Sequence, residues 1–383
     1  MSRPIAVLTG FIGKYPIAGM MLYNLHYVAG LQALGYDVVY VERIMYPNEC
    51  YDPSSDSMTS EVALAVHAVR TELAHHGIGD DRFALVDLDG TCHGMSRPQL
   101  RKLLERADFV LTVADNAWDD DFAACPRRLF VDGDPMFTQA SLVSSQRVRD
   151  ALEGYDTLCT IGNRMGMSDC AVPDLGRQWI PTRSVVSTSM WQVTPPNSNF
   201  PVTGVMNWAA GAEVIIEGVA YGHKNREFEK IRSLPRRTDE RLVLALGGNA
   251  PREALLSEGW EIADPLLATA SLETYQRFIR ESKCDLGIAK HAYVASRSGW
   301  FSDRSLCYLA SGRPVIHQDT GFRDWLPVED GVLAFGKMGG LLRALELIDR
   351  DLENQSRAAR AVAERYFEGS VVLHELLSSA GLR

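Results

Sequence analysis

The sequence predicts an α/β protein of two doubly wound, Rossmann-like domains with a helical tail. Three observations lead there: the length, the alternation of short β-branched runs with helical stretches, and a change of texture near the middle. A chain of 383 residues exceeds what one hydrophobic core usually serves, so two domains are expected. Hydrophobic content of 46% with charged content of 23% is average for packed chains, which excludes disorder, collagen-like repeats and coiled coil as the main organisation.

The elements follow in order. Ile5–Thr9 is an apolar run ending at Gly10, and a helical pattern covers residues 17–34 before Gly35 stops it. Strand-like runs recur at residues 37–42, Phe83–Val86, Phe109–Val113, 129–131 and 157–161, with helical or loop stretches between them. From 176 to 201 the composition turns to Pro, Ser, Thr and Asn, which suits a connection better than an element interior. Alternation then resumes, with strands at 202–206, 242–246, 286–289 and 314–317 and helices starting near Lys224, Pro251, Leu272, Ser302 and Lys337. Residues 352–377 read as two helices broken at 367–369. The expected division is 1–195, 200–352, and a tail of 353–383 packing back across the hinge.

Charge and cysteine usage narrow the partners. A net charge of −10 argues against a general grip on phosphate backbones, so no nucleic-acid polymer is expected. The seven cysteines are scattered with no C-x-x-C pair or metal-ligand spacing, and read as reduced thiols. Residues Met1–Ile5 run straight into an apolar strand, and no segment reaches 18 apolar residues. Cytoplasmic residence and no membrane span are therefore expected, while oligomeric state stays open.

Thr9-Gly-Phe-Ile-Gly13, a glycine loop after the first strand, invites a dinucleotide reading. Pro16 stands where a third glycine is wanted, and no Tyr-x-x-x-Lys pair occurs. The loop reads instead as a tight turn facing the cleft, with Gly13 a candidate backbone contact to a nucleotide.

Residues 290–322 carry more chemistry. A loop rich in Ser, Gly and Arg ends at Ser302 and Asp303, both good N-caps; an apolar helix follows, stops at Gly312 and gives way to a strand. Its N-terminal amides and positive dipole end suit an anion, and Lys290, Arg297 and Arg304 add charge within reach. A diphosphate fits that arrangement. Pairing of the same cations with Asp303 or Asp285 on a solvated face is the structural alternative.

The run Ser298-GWFSDRSLCYLASGRPVIHQDTGF-Phe322 resembles the donor domain of GT-B glycosyltransferases related to the family-four superfamily. Tyr51-Asp-Pro53, Asp132-GDPMFTQ-Gln139, Trp179-IPTR-Arg183 and Tyr221-GHKNREF-Phe228 resemble the same group in the same order. The resemblance implies a metal-independent enzyme that moves a sugar from a nucleotide diphosphate sugar, a UDP-sugar foremost, to a small acceptor such as a natural-product or nucleoside intermediate. It implies no cofactor beyond that co-substrate. It places Lys224, Ser302, Arg304 and Ser305 at the diphosphate, where the loop chemistry already put Lys290 and Arg297, and Asp319, Thr320 and Gly321 at a strand end near the cleft. One departure stands out: the paired glutamates of retaining members are replaced by Gly299 and Cys307, so stereochemistry is not inherited.

Asp132-Gly-Asp134 spells the D-x-D of metal-dependent transferases, but it lies in the first half, away from the phosphate features. Acceptor contact or turn chemistry suits it better than metal. An inverting transfer needs a base from the first domain, and His26, Asp115, Asp132 and Asp134 qualify on placement. His26 equally suits a buried place on its helix. Two rival functions remain, a sugar-nucleotide epimerase of the same fold and a non-catalytic nucleotide-binding protein.

Overall fold

The computed structural model describes residues 3–115, 118–209, 211–327 and 329–382. Met1, Ser2 and Arg383, which the sequence reading assigned to the ends of the first and last segments, lie outside them.

The N-terminal half contains β1 (Ile5–Thr9), β2 (Asp37–Arg43), β3 (Cys50–Asp52), β4 (Ser57–Thr59), β5 (Phe83–Val86), β6 (Cys92–Gly94), β7 (Phe109–Val113), β8 (Arg128–Asp132), β9 (Thr157–Thr160) and β10 (Trp179–Pro181). Eight of these form one sheet in the order β10-β9-β8-β7-β1-β2-β5-β6, parallel except for β6, while β3 and β4 form a separate hairpin. Its central strands are buried on both faces, which explains why they read as continuous apolar runs rather than as alternation. The C-terminal half supplies β11 (Val202–Asn207), β12 (Val214–Ile216), β13 (Val219–Tyr221), β14 (Leu242–Gly247), β15 (Glu261–Ala263), β16 (Cys284–Gly287), β17 (Val315–Gln318) and β18 (Val332–Phe335). Six of them make a parallel sheet in the order β15-β14-β11-β16-β17-β18, with β12 and β13 as a hairpin.

Both sheets reverse direction at the centre. In the first, the strand order turns between β1 and β7; in the second, between β11 and β16. The crevice outside the carboxyl ends of such a pair is where open α/β sheets bind ligands.

The connection between the sheets is tied down. Arg313, fully buried, donates from Nη1 to Thr194 O at 3.0 Å, from Nη2 to Thr194 Oγ1 at 2.6 Å and from Nε to Arg280 O at 3.1 Å. Burial and the nearby Arg280 charge lower its pKa to about 10. Val186 pairs with the backbone around Glu368, and the helix Gly369–Ser379 then lies on Ala18–Ala33. That contact needs two glycines: a Cβ at Gly30 would stand 3.0 Å from Gly369 Cα. The junction is apolar as well, since Ala289, Ala292, Tyr293 and Trp300 of the second half share a core cluster with Phe11, Met136 and Ile161 of the first. An interface of that kind holds the halves in a defined orientation.

Candidate functional site

The cleft runs between the two reversal points. From the second half, the helix Lys224–Phe228 begins after the β12–β13 hairpin, and Lys290 follows the end of β16, so both lysines stand at the β11/β16 crevice. The helix Asp303–Ala310 points its N-terminus to the same place; Ser302 caps it in extended backbone, although its hydroxyl makes no capping hydrogen bond. Lys224 is half-buried and makes no hydrogen bond or ion pair among the described residues. Burial, then the Arg304 and Lys290 charges, push its pKa down to about 7. A lysine held beside two other cations, with the Asp303 and Asp285 charges outweighed and no ion pair of its own among the described residues, is a poor structural element and a good anion seat.

Arg304 is built in more firmly than an ion-binding side chain needs to be. Nη1 donates to Val205 O at 2.8 Å, Nη2 lies 3.3 Å from Asp285 Oδ2, and Nε is buried without a partner. Asp303, at the first turn of the same helix, has its carboxyl pushed up by burial against the pull of Arg304 and Lys224. The sequence offered Asp303 as a cap or as a partner of these cations on a solvated face; the carboxyl lies among the cations, but buried.

Several expected contacts point elsewhere. Ser305 is fully buried and donates to Asp285 Oδ2 at 2.6 Å, so its hydroxyl supports the sheet rather than a ligand. Arg297, at φ +50°, turns its guanidinium to Asp169 at 3.0 Å. Thr320 is buried, with its hydroxyl on Trp300 O and its carbonyl accepting from Gly299 N at 2.9 Å. Asp319 caps its own loop through Gly321 N at 2.8 Å, and Gly321 packs on Arg164. These residues form a cross-cleft brace instead of a phosphate cradle. Its partner is Arg164, whose N–H donates to Ser298 O at 3.0 Å, whose Nε donates to Arg297 O at 3.2 Å, and whose guanidinium meets Asp169 and Asp324. Nothing in the sequence around Arg164 announces the brace, because Arg297, Ser298 and Asp324 come from the other half of the chain and only Asp169 is near in sequence.

The first-half expectations change similarly. Gly13 N–H is spent on Glu42 Oε2 at 2.9 Å, so it is not free for a nucleotide. His26 is 2% exposed, its Nδ1 accepts from Ser187 N at 3.2 Å, and burial holds its pKa at about 3; it is a neutral core ring, not a base at the cleft. Asp132 is fully buried and accepts from Asp134 N at 2.9 Å, Thr138 Oγ1 at 2.6 Å, Gln139 Nε2 at 3.2 Å and Thr160 Oγ1 at 2.9 Å. A carboxyl group engaged in this way organises a loop, and burial pushes its pKa up in spite of those donors. Asp134 does reach the cleft, where it bridges the halves: Oδ2 lies 2.6 Å from Lys290 Nζ, and Oδ1 takes the Tyr293 hydroxyl. Among the described residues no group of three or more His, Cys, Asp or Glu is placed to hold a metal ion.

At the β1/β7 crevice lies a cluster that sequence reasoning largely missed. Lys14 Nζ is 3.0 Å from Glu49 Oε1 and 2.8 Å from Asp115 Oδ2. Burial works against its charge, but Asp115, Glu49 and Glu42 together drive its pKa up. Glu42 sits beneath, its pKa raised to about 7 by burial despite Lys14 and two backbone donors. Of these four only Asp115 stood out in the sequence as a site candidate, because the lysine and its carboxylates come from three separate strand ends.

Two facing α/β domains with a cation-lined cleft and a returning C-terminal helix define the GT-B class of fold. No protein-family profile matches the chain, and no curated protein matches it in sequence. Solved structures share the architecture from end to end. An alpha-glucosyltransferase in complex with UDP aligns over 99% of this chain and 100% of its own, with TM-score 0.58 at 10% identity. Sucrose-phosphate synthase from Thermosynechococcus elongatus aligns over 99% of both chains at TM-score 0.52 and 13% identity. Anabaena Alr3699/HepE in complex with UDP does so over 99% of both at TM-score 0.54 and 12% identity. At such identities the likeness is one of fold. The alpha-glucosyltransferase has also been solved with UDP and a 13-mer DNA, at TM-score 0.59 and 11% identity to this chain. That finding overturns the exclusion of nucleic-acid polymers drawn from net charge. A whole-chain charge averages over the surface, whereas contact with a strand needs only one suitable face.

Among the described residues no helix is long and apolar enough to cross a membrane.

Proposed function

We propose that this chain transfers a glycosyl group from a nucleotide diphosphate sugar, with UDP as the leading nucleotide, to a hydroxyl-bearing small molecule. The observation that carries the proposal is Lys224, half-buried, without an ion pair among the described residues, and held beside Arg304 and Lys290 at the reversal point of the second sheet, where those cations and burial outweigh the pull of Asp303 and Asp285. The UDP in the printed descriptions of similar structures supports the choice of nucleotide. In the reaction the bond from the anomeric carbon to the β-phosphate oxygen breaks, the bond to the acceptor oxygen forms, and the acceptor loses its proton. Negative charge grows on the leaving diphosphate, where fixed cations act without reorganisation, as a divalent metal would elsewhere. Lys224 carries most of this role, because Arg304 is already tied to Val205 and Asp285. No metal or further cofactor enters the proposal. Seven unpaired cysteines suit a reducing compartment, and we place the enzyme in the cytoplasm.

Thermal-shift titration with UDP, dTDP, GDP and ADP tests the donor class: selective stabilisation by UDP that disappears in Lys224→Met is expected. No shift with any of the four sinks the proposal.

A further inference from the structure

Asp134 and Phe137 form a hook from the first half onto the second. Asp134 Oδ2 lies 2.6 Å from Lys290 Nζ, and Oδ1 takes the Tyr293 hydroxyl. Phe137 stacks on His223 with ring centroids 5.3 Å apart, and Lys290 Nζ stands 4.3 Å from the centroid of the same phenyl ring. His223 immediately precedes Lys224, so both arms of the hook close on neighbours of the cation cluster.

The hook is strained. Met136, between its two arms, is fully buried at φ +80° and ψ −48°, a region that residues other than glycine rarely enter. Asp132 enforces the turn from beneath by accepting from Asp134 N, Thr138 Oγ1 and Gln139 Nε2. Strain held in this way collects at sites of function.

Three carboxylates adjoin the cations, and they differ in their freedom to leave. Asp285 is fully buried between Arg304 and Ser305. Asp303 is carried by the first turn of the same helix as Arg304. Asp134 alone among the three reaches in from the other half, and its side chain is 42% exposed, so once released it passes readily to water. The lysine it holds, Lys290, is one of the two cations that press on Lys224.

Resting on the donor reading above, we propose that Asp134 is a built-in counter-ion: it holds Lys290 in the empty enzyme, yields the lysine to the diphosphate of the nucleotide, and reclaims it when the spent diphosphate leaves. The exchange is one anion for another on a single ammonium group, with no covalent change. A diphosphate that also meets Lys224 carries enough charge to win the lysine. The carboxylate, tethered beside it, competes at every moment. Asp134 therefore stabilises only the empty cleft and lowers the affinity for donor and product alike.

Calorimetric titration of the full chain with UDP and, separately, with inorganic pyrophosphate tests the exchange in the parent, Asp134→Asn, Lys290→Met and the double variant. Asparagine keeps an oxygen for the Tyr293 hydroxyl, so the turn persists without its charge. Asp134→Asn is expected to bind both probes about threefold tighter or better, the reverse of losing a residue that contacts the ligand. In the Lys290→Met background the same change should alter affinity by less than about 1.5-fold, because the contested ammonium is gone. Unchanged or weaker binding by Asp134→Asn overturns the proposal, as does a gain that persists without Lys290, which reports a loosened cleft instead. UDP that leaves the parent's melting temperature unmoved sinks the donor reading, and pyrophosphate then still reads the exchange. UDP bound equally by the parent and Asp134→Asn sinks the exchange alone.

Discussion

Gly299 and Arg164 interlock across the cleft: Gly299 sits at φ +77°, and a Cβ there would lie 2.8 Å from Arg164 Cγ and 3.0 Å from Arg164 N. Gly299 occupies the place of the first glutamate in the resembling family, and Cys307, 4% exposed and packed 4.0 Å from His26 Nε2, occupies the second. Both positions are structurally closed to a carboxylate. Gly299→Ala should cost about 1–3 kcal/mol of stability through the left-handed backbone alone. Gly299→Glu and Cys307→Glu should lower the melting temperature further and should not raise turnover. An active, stable Gly299→Glu protein contradicts this account.

Lys224 makes the proposed donor site sensitive to pH. Its folded pKa of about 7 lies below the 10.5 of an ordinary lysine, so between those values the unfolded chain binds more protons and this residue's contribution makes stability rise with pH. A bound diphosphate restores the charge. Binding above pH 7 should therefore take up a proton, and affinity for UDP should fall from pH 7 to 9. Calorimetry in buffers of different ionisation enthalpy reads the uptake. Lys224→Met should abolish it, weaken UDP by about tenfold or more, which is about 1.4 kcal/mol, and raise the melting temperature of the free protein.

Arg304 should behave differently from Lys224 despite standing beside it. Truncation leaves the fully buried Asp285 with only Ser305 as partner, so Arg304→Ala should destabilise by roughly 3–5 kcal/mol. Chemical denaturation separates the two residues: a well-folded Arg304→Ala protein that has merely lost UDP affinity would move Arg304 from support to direct ligand contact.

Chelation should leave UDP affinity unchanged. Asp132 is saturated by four internal donors and Asp134 is paired with Lys290, which leaves the D-x-D motif no open ligand set. A loss of UDP-induced stabilisation on adding EDTA, reversed by manganese or magnesium, would show otherwise.

Much of the fold was legible because periodicity is local. Ile5–Thr9, Phe83–Val86 and Phe109–Val113 appear where apolar runs predicted strands, and the helix expected over 17–34 spans Ala18–Ala33. The short pieces were missed: the β3–β4 and β12–β13 hairpins and the edge strand β6 are each three-residue strands, too short to show a period. The candidate site was legible where a charge breaks a local rule: Lys224 does stand in the first turn of a helix. It was misread where a residue's type fits a ligand but its partner comes from far along the chain, as with Gly13 and Glu42, Ser305 and Asp285, or Arg297 and Asp169.

The sequence by itself determined two α/β sheets, the connection between them, and a helix start at Ser302 and Asp303 after a loop rich in Ser, Gly and Arg, because each follows from the chemistry of neighbouring residues. Only the tertiary structure decided which polar groups remain free. Arg304 and Ser305 sit next to each other in one helix, and both turn to Asp285 Oδ2 on β16, a partner that no local pattern announces. Gly299 likewise looked like a lost glutamate, and became a required glycine once Arg164 arrived from the other half.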